Sequence, residues 1–453
     1  MKPLVVVQGP VTTRSGYGNH TRDIVASLIQ SEKYEVKIVS LPWGSTPTDA
    51  LEPDNEIHNK IAKCILTQAL TRQPEVFIQI SVPNEFGMIL GPDGKFKEQK
   101  VGKYNIGITA GIETTNVSHD FLIGCNRMDL VITTSEHSKK GFIDTVYDRV
   151  DENTKQKVGD LKLDTPIEVL FEGLDLNTYY KTNDLHESVI NELSSIKNKF
   201  CYLFVGHWLK GDIGQDRKDI GMLIKTFCET FKNKAARNKP ALILKTSSAT
   251  FSIIDRDDMM KKIQEIITPY GNKAPEVYLL HGDLSDSEMN SLYNHPKIKG
   301  MISFTKGEGF GRPLLEFTVT GKPVIASNWS GQTDFLKHSV LLPGELTEIH
   351  PSAADQFLLK GSRWFTVNYQ YASRILKDVT ENYKKYLPNA RSQSRFSREN
   401  FSFDIMSKKL CDLVDKGLEG VPTHVGLKLP KLKKVGESNT AKLKLPKLKK
   451  VEA

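Results

Sequence analysis

The sequence predicts an α/β protein of two domains, each built on a parallel sheet. Three observations carry this: a length of 453 residues, short apolar runs that alternate with stretches of helical periodicity, and one polar break near the middle of the chain. At roughly 150 residues per domain, that length is too great for one ordinary core. Apolar residues at 39% and charged residues at 26% match a globular enzyme and exclude fibrous and disordered classes.

Apolar strands are expected at residues 4–7, 36–41, 76–80, 104–109, 130–134 and 167–170, with helical stretches between them. The same rhythm resumes at 201–206, 241–246, 277–281, 300–305 and 323–327, after the lysine-containing polar stretch 181–199. Strand, crossover helix and strand again is the pattern of a parallel sheet. The expected boundaries are 1–180 for a first α/β domain, 181–400 for a second, 401–420 for a last helix packing back on the body, and 421–453 for a tail. In the helix that begins at Ile220, Leu223, Phe227 and Phe231 share one face as core packing; Ile375 and Val379 do the same later. The last helix, over 403–416, is expected to bury Ile405, Met406, Leu410 and Leu413. Trp364 and Tyr371 read as packing of the late helices against the body.

The five cysteines stand singly, with no Cys-x-x-Cys pair and no His cluster at ligand spacing, which points to a reducing compartment and no structural zinc. The apolar run at 4–7 is too short for the core of a secretory leader. No run approaches the roughly 18 apolar residues of a membrane span, so the expected location is cytoplasmic and any membrane contact peripheral.

The net charge of +8 is local. From Leu427 to Ala453 nine lysines face only Glu437 and Glu452, which accounts for +7 and leaves the preceding chain at +1. This tail holds the nonapeptide Leu-Lys-Leu-Pro-Lys-Leu-Lys-Lys-Val twice, at 427–435 and 443–451. Pro430 and Pro446 interrupt any helix, and two nine-residue units bury too little apolar area to offset their ordering entropy, so disorder is expected there. The repeat fits a salt-sensitive handle for a polyanion such as DNA, a motif read twice by a protein partner, or a solvated tail.

Chemistry concentrates at Gly307-Glu308-Gly309-Phe310-Gly311-Arg312-Pro313, which follows a strand and opens a helix. Glycines admit close approach of a ligand to the backbone, and the unpaired N–H groups of a first helical turn favour an anion. Glu316 lies eight residues after Glu308, roughly 12 Å along a helix axis, which suits a long ligand with one carboxylate near each end. The spacing alone fits equally a surface helix with a solvated Glu after a tight turn. Asp255-Arg256-Asp257 reads as helix capping rather than a metal site. His119 reads as a surface histidine.

The Glu-x7-Glu element, followed by Gly321-Lys322-Pro323-Val324-Ile325-Ala326-Ser327 and Trp329-Ser330-Gly331, resembles the donor site of family-four retaining glycosyltransferases of the GT-B fold. The resemblance extends over roughly 1–420 through Ser15-Gly16-Tyr17-Gly18, the segment 108–113, Gly173-Leu174-Asp175, Val205-Gly206-His207-Trp208 and Arg217-Lys218. It implies two Rossmann-like domains facing a cleft and sugar transfer with retention from a UDP- or GDP-linked donor. Fixed cations would stabilise the leaving diphosphate, with no metal and no cofactor required. By resemblance Glu308 faces the sugar, Glu316 holds the ribose, and Lys218, Arg217 and Lys245 neutralise the diphosphate. Gly307, Gly309, Phe310 and Gly311 line the donor, and Gly16 and Gly18 let the first loop close over it. Where many members carry Arg after the strand glycine, this chain has His207, so the replacement cation is Arg217, or His207 itself if the phosphates hold it protonated. Glu113 and His20 are candidates at the cleft, His20 with either a local hydrogen bond or an acceptor contact. Two other readings stay open: a DNA-modifying enzyme acting on a hydroxylated base and recruited by the tail, and a non-catalytic adaptor that binds a nucleotide sugar or polyanion.

Overall fold

The computed structural model describes residues 2–44, 46–90, 96–151, 153–208, 210–248 and 251–421. The lysine-rich repeats lie outside them. The first domain is a six-stranded sheet of β1 (Leu4–Gly9), β2 (Glu35–Ser40), β3 (Val76–Ile80), β4 (Tyr104–Thr109), β5 (Leu130–Thr133) and β6 (Ile167–Val169). Its order is β6-β5-β4-β3-β1-β2, parallel throughout, with Val5 paired to Val36 on one side and Val76 on the other. The second sheet joins β7 (Cys201–Val205), β8 (Ala241–Lys245), β9 (Val277–Leu280), β10 (Ile298–Ser303), β11 (Val324–Ser327) and β12 (Val340–Leu342) in the order β9-β8-β7-β10-β11-β12, again parallel. Helices cover both faces of such sheets, which is why β1 and β3 are buried along their whole length and read as continuous apolar runs.

Strand order reverses between β1 and β3 in the first sheet and between β7 and β10 in the second. Ligands of doubly wound sheets bind beyond the carboxyl ends of strands at such points. Here both sets of carboxyl-end loops meet each other. Arg14, after β1, pairs with Asp283, after β9, at 2.6 Å, and the loop after β4 lies against the one after β10.

Helices α1 (Gly16–Gln30), α2 (Glu136–Asp144), α3 (Ile220–Phe231), α4 (Arg312–Thr318) and α5 (Phe403–Leu418) matter for the site. Ser15 caps α1, its hydroxyl accepting from the Gly18 N–H. Leu223, Phe227 and Phe231 of α3 are buried against Phe204 of β7. The chain crosses between domains twice at one place: Leu174 N–H donates to the Phe401 carbonyl and Phe403 N–H to the Leu174 carbonyl, both at 2.8 Å. After that second crossing α5 joins the first domain's core beside Val5, Ile24 and Ile78.

Several local expectations are corrected. The buried stripe of α5 is Met406, Leu410, Cys411 and Val414, while Ile405 is exposed; the helix is rotated from the expected face so that residues at spacings of four line one seam. Trp364 sits not on a helix but in a two-stranded antiparallel hairpin, β13 (Gly344–Glu348) with β14 (Arg363–Val367), where it is buried. The cap over Asp255 is Ser252, which accepts from the Asp255 N–H; Asp255 itself turns inward to Ser248 and His281. Among the described residues no helix is long and apolar enough to cross a membrane.

Candidate functional site

The glycine turn follows β10 and is clasped from behind. Glu308 N–H donates to Ser330 Oγ at 2.9 Å, and Gly331 N–H donates to the Glu308 carbonyl at 3.0 Å. Gly311 adopts φ of +99°, the left-handed region that favours glycine, and so reverses the chain into α4. Phe310, expected at the donor, instead points into the core and packs on Phe335. It anchors the turn.

The cations come from the loop after β7. Arg217 Nη1 donates to the Gly307 carbonyl at 2.9 Å and to Glu308 Oε2 at 3.3 Å, and Lys218 Nζ meets Glu308 Oε1. Glu113, at the end of the loop after β4, stands 3.7 Å from Arg217. These four side chains form a compact pair of cations and pair of carboxylates. Burial pushes the Glu308 carboxyl up, but Lys218 and Arg217 outweigh it and hold the group below the usual range. His207 is pushed down by burial and by Lys218, Lys245 and Arg217, so it stands neutral, its Nδ1 3.2 Å from Ser247 Oγ. Lys245 lies farther along the same rim, donating to the Gly282 carbonyl at 2.6 Å beneath the Phe251 ring. The structure thus brings Glu308, Arg217, Lys218 and Glu113 together and leaves His207 without a charge.

A second cluster joins the domains around Arg312, which sequence reasoning passed over. Its guanidinium donates to Glu316 Oε1 at 2.9 Å and pairs with Asp23 of α1 across the cleft. Tyr293 donates to the other Glu316 oxygen at 3.1 Å. The carboxylate expected to hold a ribose is therefore occupied by protein donors. Burial pushes Glu316 up to about 7 against the pull of Arg312, and does the same to Glu172 beside it. His20, expected to make either a local hydrogen bond or an acceptor contact, lies inside α1, and its two buried ring nitrogens have no hydrogen-bond partner. Burial and Arg312 push it down to about 3, so it is neutral. The one signal available in the sequence was the position of Arg312 inside the motif, one residue after the left-handed glycine.

The two domains touch main chain to main chain. A Cβ on Gly307 would lie 2.0 Å from the Glu113 carbonyl oxygen and one on Gly309 2.0 Å from the Ala110 oxygen, both of the first domain; within the second domain, one on Gly331 would lie 2.1 Å from the Gly309 oxygen. Of the first-loop glycines, Gly18 is packed in this way against Thr13, whereas Gly16 faces open space. The N-terminus of α2 extends the contact, Glu136 N–H donating to Asp334 at 2.8 Å.

Residues 224–360 match the family model "Glycosyl transferases group 1". That segment contains Lys245, the glycine turn, Glu308 and Glu316. No curated protein sequence matches the chain. Among solved structures, Anabaena Alr3699/HepE in complex with UDP and glucose has a TM-score of 0.54 at 15% identity, covering 91% of this chain and all of that one. A glycosyltransferase from Rickettsia africae ESF-5 reaches 0.57 at 14% identity over 92% and 99%. Sucrose-phosphate synthase from Thermosynechococcus elongatus reaches 0.58 at 11% identity over 92% and 99%. With both sheets, their facing loops and the matched segment in place, the chain has a GT-B fold, and its second domain holds a segment similar to group 1 glycosyl transferases.

Proposed function

We propose that the chain transfers a sugar from a nucleoside diphosphate sugar to an acceptor hydroxyl, with retention of anomeric configuration. The observation that carries this is the convergence of Arg217 and Lys218 on Glu308, in a buried site at the strand-order reversal of the second sheet. Both cations are already paired with Glu308, so neither is an uncompensated buried charge before a diphosphate arrives. In the reaction the bond between the anomeric carbon and the β-phosphate oxygen breaks, its electron pair going to the diphosphate. The acceptor oxygen forms the new bond and its proton passes to a departing phosphate oxygen. Arg217 and Lys218 stabilise the charge that grows on that oxygen, Glu308 faces the sugar, and Glu316 turns from Arg312 to the ribose hydroxyls. No metal is assigned a role.

Glu308, Arg217 and Lys218 are largely buried, so the donor enters when the domains part at the double crossing beside Leu174. The structure of HepE with UDP-glucose supports a nucleotide sugar as the ligand class. The test is incubation with UDP- and GDP-sugars while free nucleotide is followed. Release that disappears in Lys218→Met supports transfer. Tight donor binding with no release from any sugar nucleotide would favour the adaptor reading, and no binding at all would end both.

A further inference from the structure

Lys306 precedes the glycine turn and is 1% exposed. A lysine so deeply buried needs compensation, because an unpaired ammonium away from water is strongly disfavoured. Its Nζ lies 3.0 Å from Thr366 Oγ1, 3.4 Å from Asp219 Oδ2 and 5.6 Å from the centre of the Trp364 ring. Its main chain is tied on both sides, N–H to the Arg217 carbonyl at 2.8 Å and carbonyl to the Phe365 N–H at 2.9 Å. Asp219 is equally unusual. It stands at the N-cap of α3, yet its carboxylate makes no capping bond and receives Tyr369 Oη at 2.6 Å instead. Its backbone takes φ of +54°, a left-handed bend that strains a residue with a Cβ. An aspartate that gives up its cap and accepts strain is held by something outside its helix. Tyr369 supplies the hydrogen bond of that hold and Lys306 its opposing charge.

The turn so held is 216–219, and its two middle residues are Arg217 and Lys218. We propose that Lys306 is a positioning residue for this pair: enclosed by Asp219, Thr366 and Trp364, its ammonium fixes the left-handed bend that aims both cations at Glu308. The inference rests on the reading of Arg217 and Lys218 as the diphosphate-binding pair, and it adds a residue to that site that touches no ligand.

The test uses the full chain, inorganic pyrophosphate as probe, and two variants. Lys306→Met removes the ammonium and leaves Asp219 with the Tyr369 hydroxyl but no opposing charge; Lys306→Met with Asp219→Asn removes both charges. In the single variant, hydrogen exchange at the amides of 217–220 is expected to accelerate and pyrophosphate affinity to fall by about tenfold, the scale on which supporting residues act at binding sites. In the double variant the thermal midpoint returns towards wild type while exchange stays fast and affinity stays low. Recovery of affinity together with the midpoint would make Lys306 merely structural and overturn the proposal, as would wild-type exchange and affinity in the single variant. Should the single variant fail to fold, exchange and affinity in the double variant decide between these outcomes. A wild-type protein that ignores pyrophosphate sinks the diphosphate reading, whereas Lys306 is still judged by exchange at the turn.

Discussion

Gly309→Ala isolates domain closure from everything else the glycine turn does. The backbone at Gly309 lies outside the left-handed region, so an alanine is accepted conformationally and even restricts the unfolded chain, a gain of about 0.4–1 kcal/mol. The new methyl would stand 2.0 Å from the Ala110 oxygen of the opposite domain, whereas real contacts of this kind do not fall below 3.0 Å. The facing loops must therefore separate by about 1 Å, and rotation at the double crossing near Leu174 and Phe401 lets them do so without disturbing either core. A misplacement of that size at a reacting centre costs about 10²-fold, equivalent to about 2.7 kcal/mol of barrier. We expect kcat for donor turnover to fall by about this factor, nucleotide affinity to stay within about threefold because the donor groups lie on one domain, and the thermal midpoint to move by less than about 3 °C. Steady-state kinetics, calorimetry with the nucleotide product and X-ray scattering would show a slower enzyme with a larger radius of gyration. Wild-type turnover in Gly309→Ala would refute the reasoning, because the closed arrangement would then not be the one that reacts.

Lys218→Met should lower kcat by about 10²- to 10³-fold, the range for losing one charge-stabilising donor, and a variant within threefold of wild type would remove Lys218 from the site. Glu113→Gln leaves the cation cluster one positive charge in excess, so the nucleotide product should bind more tightly and leave more slowly; weaker product binding by calorimetry would contradict this. Glu316 and Glu172 are held near 7, above the ordinary carboxyl value of 4.5, so the folded state binds protons that the unfolded chain releases. Their contribution to stability is full below about 4.5 and is lost as pH rises towards about 7, and Glu316→Gln should flatten that slope in thermal melts; an unchanged slope assigns it elsewhere.

The sheets were legible because parallel strands buried on both faces appear as unbroken apolar runs, and the glycine turn because Gly311 needs its positive φ. The edge strand β12 and the β13–β14 hairpin escaped, since half-buried strands such as Gly344–Glu348 alternate weakly and carry charge. Phe310 was misplaced for a related reason: one motif holds residues that face a ligand and residues that anchor the loop, and spacing does not say which way a side chain turns. The Arg312–Glu316 pair is local, four residues apart on α4, but the Asp23–Arg312 and Lys306–Asp219 pairings join residues that are remote in sequence, so no local pattern announces them. They exist only once the chain has folded.

The replacement of a second strand-end cation by His207 becomes intelligible in terms of where a further charge is tolerated. A cation directly after β7 would sit among Lys218, Lys245 and Arg217, and the depressed proton affinity of His207 records how unfavourable a further positive charge is there. Arg217 escapes the same penalty because it lies between Glu308 and Glu113, which hold its proton firmly despite partial burial. Glu113 belongs to the first domain, so closure delivers the carboxylate that completes Arg217's environment, and opening takes it away. On the proposed diphosphate reading, the cation pair would therefore be least compensated, and most attractive to a diphosphate, in an opened cleft. Closure would then set Glu113 against the bound anion and favour departure of the more highly charged product over retention of the donor.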